Sequence, residues 1–127
     1  MATLTTTDGI QITFVGKAVS ALTDHDASTG EAVTCVYGIT NSALRLIESV
    51  QAFMTRIKIA DNFAKLTRPN GFPVWINGAA VSSIRAPLSN EYVMGVNTVI
   101  FANGLTQGVK EPPPDVTMLI NSHGGGL

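Results

Sequence analysis

Charge is scarce in this chain. Of 127 residues only 13% are Asp, Glu, Lys or Arg, and the eight Lys and Arg against nine Asp and Glu leave a net charge of -1. The eight basic residues are scattered, so there is no basic stripe of the kind that draws nucleic acid or anionic lipid. With 45% hydrophobic residues the chain is not a solvated tail; it is expected to fold and to bury surface in an assembly. Cysteine occurs once, at Cys35, which excludes an intrachain disulfide and a thiolate metal cluster. Its apolar setting, Val33-Thr34-Cys35-Val36-Tyr37, reads as a reduced core thiol. Histidine occurs twice, at His25 in a polar loop and at His123 near the end. Nucleophilic catalysis needs a nucleophile, a base and a group to orient the base, and no such set is assigned here. The glycine run Gly124–Gly126 has no helix after it to form a phosphate loop. No enzymatic activity, cofactor or metal is expected. Apolar stretches are interrupted by Thr, Ser, Asn and Gly well before the roughly 18–20 residues of a membrane helix. Residues 1–9 show no basic start and no apolar leader core. The expectation is a soluble, cytoplasmic protein without membrane insertion.

What the chain does have is a repetition. Leu4, Gly9, Val19 and Leu22 are answered by Leu66, Gly71, Val81 and Ile84, each 62 positions later. Thr34 and Tyr37 are answered by Thr98 and Phe101 at a spacing of 64, and Glu48, Phe53 and Ile57 by Glu111, Val116 and Ile120 at 63. Three blocks in one order point to an internal repeat. Two copies are too few for a solenoid. They fit a fused pair in which each half covers an apolar face that the other cannot bury. The expected fold is therefore α+β, mostly β: two tandem βββββα-like small-barrel or sheet units packed as an intrachain pseudo-dimer. The first unit covers 1–58, the second 63–121, and 122–127 form a flexible tail.

Within each half the grammar is that of strands and turns. Asp8-Gly9 and Asn70-Gly71 accept the positive φ of a tight turn, and Pro69 presets the φ before Asn70. Beyond the turn, Ile10, Ile12 and Phe14 alternate on one strand face, as do Phe72, Val74 and Ile76. A short strand is expected at Ala18–Leu22 and Ala80–Ile84. Further strands are expected at Val33–Tyr37 and Asn97–Phe101, and near Ala43–Ile47 and Leu105–Lys110. Val50, Phe53, Met54 and Ile57 form a helical stripe at i, i+3, i+4 and i+7. In the second half Pro112-Pro113-Pro114 opens the helix that carries Val116, Leu119 and Ile120.

Few residues stand out as site candidates. Asp24-His25-Asp26 has metal-ligand chemistry, but neighbouring side chains diverge in extended chain, and it reads as a solvated loop tip. Trp75 faces away from Phe72, Val74 and Ile76 and has Thr13 as its counterpart. Burial at a half–half or subunit interface is the preferred reading over a ligand-stacking platform. Arg68, Arg85 and Tyr92 are candidates for a recognition surface peculiar to the second half. The loop Arg85–Val96 carries Pro87, Leu88, Tyr92, Val93 and Met94, more apolar surface than a free loop normally shows. It is the expected contact of a homo-oligomer, with Met94 part of it.

The second half has a further likeness. Leu66-Thr67-Arg68, Asn70-Gly71, Asn77, Asn103-Gly104 and Val109-Lys110-Glu111 together resemble the FlbD/SwrD family of small bacterial flagellar and swarming proteins. The match covers residues 64–120; in the first half Thr6 stands for Arg68 and Val15 for Asn77. The resemblance implies a non-enzymatic protein-interaction or assembly module, whose partners are itself and another protein of a pathway the sequence does not name. Two alternatives stand beside it. One is a nucleic-acid-binding small barrel of the Sm-like or carbon storage regulator type, which requires Arg68, Arg85 and Lys110 to converge on one face. The other is a phage or virion structural protein, which low charge, many Thr and Gly residues and tandem duplication would suit.

Overall fold

The computed structural model describes residues 2–88 and 94–127. The fold is α+β and mostly β, with two α-helices and several sheets. Ten strands occur in the described residues. They are β1 (Ala2–Thr5), β2 (Gln11–Phe14), β3 (Ala21–Thr23), β4 (Thr34–Tyr37), β5 (Leu44–Leu46), β6 (Phe63–Thr67), β7 (Pro73–Asn77), β8 (Val81–Arg85), β9 (Thr98–Ala102) and β10 (Leu105–Val109). Helix α1 (Val50–Arg56) follows β5, and α2 (Pro113–Asn121) follows β10.

Both opening hairpins turn the same way. Thr6 N–H donates to Ile10 O at 2.8 Å and Gly9 N–H to Thr6 O at 3.0 Å; Arg68 N–H donates to Phe72 O at 2.8 Å and Gly71 N–H to Arg68 O at 2.9 Å. Gly9 and Gly71 have φ of +85° and +90°, which β-branched residues adopt only under strain. Nothing lies within 4 Å of an added Cβ at either glycine, so backbone strain is the whole effect of a substitution there. Gly71→Val and Gly9→Val are each expected to cost about 1–3 kcal/mol. Unchanged urea midpoints for both variants would contradict this turn assignment.

The third strand of each half begins later than its apolar pattern indicates. Short 3-10 turns take up Gly16–Ala18 and Gly78–Ala80, and the strands follow at Ala21–Thr23 and Val81–Arg85.

The strands pair across the expected boundary between the units. One sheet runs β5-β4-β3-β7-β6, so strands of both halves share a ladder; β10-β9-β8 form a second sheet, and β1-β2 a hairpin. Shorter contacts link these sheets. A bridge joins Thr6 to Leu46 beside β1 and β5. At the far side Lys110 N–H donates to Thr67 O at 2.9 Å, tying the end of β10 to β6. The strands thus follow one hydrogen-bonded path, β2-β1-β5-β4-β3-β7-β6-β10-β9-β8.

That path encloses two cores, and β3 and β7 lie between them. Leu22 and Trp75 face the core built on Leu4, Phe14, Val36, Leu46, Phe53 and Phe63. Their neighbours Ala21, Val74 and Ile76 face the other, with Leu66, Ile100, Val109, Val116 and Ile120. Period-two alternation therefore buries both faces of the joint, which is why β3 is buried throughout.

Each helix closes one core. Ser49 caps α1, its hydroxyl accepting from Ala52 N–H at 3.1 Å, and Val50, Phe53 and Met54 point inward. Pro113 and Pro114 open α2, where absent N–H groups are tolerated, and Val116 and Ile120 point inward. Residues 122–127 are not a free tail. Leu127 N–H donates to Asn121 Oδ1 at 2.8 Å, Asn121 Nδ2 donates back to Leu127 O at 3.0 Å, and Gly125 N–H donates to Ile120 O at 2.9 Å. The glycine run folds the chain back onto the end of α2, satisfying carbonyls the helix leaves over.

Candidate interaction surfaces

Arg68 follows β6 in the hairpin turn and is buried, with 4% of its surface exposed. Its Nη2 donates to His25 O at 3.3 Å, and its Nε has no partner. The expected surface role of Arg68 is corrected by this burial: the turn draws the side chain inward against the Asp24-His25-Asp26 loop. The residue also lines a shallow pocket with Tyr37, Pro69, Asn70 and Gln107. His25 stacks on Phe72, ring centroids 3.7 Å apart, and its Nδ1 lies 2.9 Å from Asp24 Oδ1. Asp26 turns the other way. Its carboxylate accepts from Ser28 Oγ at 2.6 Å and Ser28 N–H at 2.8 Å. Those bonds, the hydroxyl's first, hold the Asp26 carboxyl below its ordinary value. Asp24 and His25 thus pair with each other, while Asp26 is held by Ser28. Cys35 is a buried thiol, its pKa pushed up chiefly by desolvation.

Trp75 is half-buried in the joint. It stands opposite Leu22 in the β3–β7 ladder and packs on the first core. Lys65, opposite it in β6, places its Nζ 5.6 Å from the ring centroid. Arg85 ends β8; its guanidinium lies 5.5 Å from the Phe101 ring centroid, and Nη1 donates to Ala86 O at 3.1 Å. Met94 is 97% exposed and Leu88 66% exposed. Tyr92 lies outside the described residues. Arg68 and Trp75 therefore belong to the β6–β7 hairpin, whereas Arg85 and Met94 belong to β8 and the segment beyond it.

Asn77 was legible only as a motif residue, yet it holds the joint. Asn77 N–H donates to Ser20 O at 2.9 Å, its Nδ2 donates to Val19 O at 2.9 Å, and its Oδ1 accepts from Ala79 N–H at 3.1 Å. The side chain is thus a clamp between the end of β7 and the start of β3, buried at 4% exposure. Its counterpart 62 positions earlier is Val15, which is 46% exposed and has no amide to offer. The ladder that would correspond to β3–β7 is β2–β8, and it is absent: β2 pairs only with β1 and β8 only with β9 among the described residues.

No known family, curated protein or solved structure matches this chain. No helix of the described residues is long and apolar enough to cross a membrane.

Proposed function

We propose that the chain is a fused pseudo-dimer acting as a non-enzymatic assembly module that forms homo-oligomers. Support for the fusion comes from element order. Strand–turn–strand, 3-10 turn, three strands and helix recur in the two halves, with the 3-10 turns at Gly16–Ala18 and Gly78–Ala80 spaced by 62 residues. Helices α1 and α2 begin 63 residues apart, at Val50 and Pro113. The FlbD/SwrD likeness of residues 64–120 supports an interaction role of the same kind. A nucleic-acid role needs Arg68 on a basic face, and its burial removes that support.

The observation that carries the assembly reading is apolar exposure on one stretch of chain. Leu88 at 66% and Met94 at 97% both lie in the chain between β8 and β9, in a protein with little charge to keep such a segment soluble. A partner copy covering these side chains removes them from water. Tyr92→Glu combined with Met94→Glu is expected to lower the mass measured by light scattering at micromolar concentration to that of one chain, 13.3 kDa. The circular dichroism should not change. An unaltered mass in the double variant would place the contact elsewhere.

A further inference from the structure

We infer that the outer edge of β2 in one copy pairs antiparallel with the outer edge of β8 in a second copy, in the register that the chain already uses between β7 and β3. The inference rests on the homo-oligomer reading and gives it a surface. Its template lies within the molecule. Asn77↔Ser20 is a hydrogen-bonded pair, so the pair two steps along the ladder, Trp75↔Leu22, is hydrogen-bonded as well. Shifted by 62 residues, that pair becomes Thr13 and Ile84. The β1–β2 ladder agrees on polarity. Thr6↔Ile10 is its hydrogen-bonded pair, so alternation turns Leu4↔Ile12 inward and leaves Gln11 and Thr13 with their backbone groups on the outer side.

Among the described residues the strand path ends at β2 and β8, neither of which pairs with a further strand on its outer side. Nor is β2 blunted against addition: Gln11-Ile12-Thr13-Phe14 contains no Lys, Pro or bulge, the usual protections of an edge. The register shift in β8 lies between Val81 and Ser83, ahead of the Ser83–Arg85 stretch that would pair. Apolar side chains flank both edges: Ile10 (55% exposed) and Val15 (46%) border β2, and Leu88 and Met94 follow β8. A second copy fits because it brings the strand whose repeat counterpart is already seen to pair in this register. The contact either closes reciprocally in a two-fold dimer, β2 on β8 and β8 on β2, or repeats head to tail in a ring or filament.

Two chains, each also carrying Cys35→Ser, test the assignment: one with Thr13→Cys, the other with Ile84→Cys. In a hydrogen-bonded antiparallel pair the Cα atoms lie about 5.5 Å apart, within disulfide range. Oxidising the mixture is expected to give chiefly the Thr13→Cys to Ile84→Cys heterodimer, in roughly tenfold excess over either homodimer if the mixed pair is favoured by 1.4 kcal/mol. Homodimers alone overturn the assignment. So does a monomeric disulfide in a third chain that carries Thr13→Cys and Ile84→Cys together with Cys35→Ser, because the seam then closes within one molecule. Thr13→Pro is an independent arm. It removes one outward N–H and none of the β1 ladder, and is expected to reduce the assembly to single chains with unchanged circular dichroism. If that variant keeps its assembled mass, β2 is not the contact. An assembled parent that yields no mixed disulfide overturns this seam and leaves homo-oligomerisation standing; a parent of monomer mass at all concentrations overturns both.

Discussion

Gly38→Ala is expected to be among the most damaging single substitutions in this chain, lowering stability by about 3–5 kcal/mol, the range reserved for a few named mechanisms. Two of them act together here. Gly38 follows β4 with φ of +106°, where an alanine Cβ is strained. That Cβ would also stand 2.4 Å from Ala18 O and 2.7 Å from Ser20 N, both backbone atoms that cannot swing aside. The close approach has a cause. Ser20 N–H donates to Tyr37 O at 2.8 Å, which pulls the start of β3 against the end of β4. Gly104→Ala separates the two mechanisms. Its φ is +80° but nothing lies within 4 Å of the added Cβ, so strain alone acts, at about 1 kcal/mol. Urea melts of the two variants decide the matter: equal midpoints would mean that the Ala18–Gly38 contact carries no cost.

Asn77→Val, which installs the residue found at the matching position of the first half, is expected to cost about 1–3 kcal/mol, the cost of one buried group left without a partner. The buried orphan is Val19 O, which loses its donor at 2.9 Å; Ala79 N–H loses its acceptor at 3.1 Å but belongs to an exposed residue that water reaches. Valine is close in shape, so the loss is one of hydrogen bonds, not volume. Asn77→Asp should cost at least as much as valine at neutral pH, because its buried carboxylate faces Val19 O. A carboxylate can still accept from Ala79 N–H, but it cannot donate to Val19 O. The whole stability of a domain is about 5–15 kcal/mol, so a loss of this size is a large fraction of it. A thermal midpoint for Asn77→Val within a degree of the parent would show that the β3–β7 joint does not depend on the clamp.

Much of the local structure was legible in the sequence because its determinants are local. Asp8-Gly9 and Asn70-Gly71 announce their hairpins, the stripe Val50-Phe53-Met54 announces α1, and the prolines at 113 and 114 announce the start of α2. The pairing of β3 with β7 was not legible. It joins residues some fifty positions apart, as at Leu22↔Trp75, and nothing in the alternation of either strand names its neighbour. The one clue was Trp75 on the second face of its strand, which required something to cover it; the cover is the first core. Arg68 misled for a related reason. A charged residue at a turn reads as exposed, whereas the fold of the loop Thr23–Ala32 brings His25 O over it. The tail misled because three glycines read as freedom, while Asn121 uses the flexibility they give to bind Leu127 at both ends.

The unequal joints can be read directly by amide hydrogen exchange, residue by residue, at protein concentrations spanning the assembly transition. The amide of Trp75, paired with Leu22 within the chain, should be protected at every concentration. The amides of Thr13 and Ile84 should exchange freely in dilute protein of monomer mass and become protected as the mass rises. Protection of Thr13 and Ile84 in the dilute monomer, or free exchange of both in the assembled protein, would contradict an open β2–β8 seam closed by a second copy.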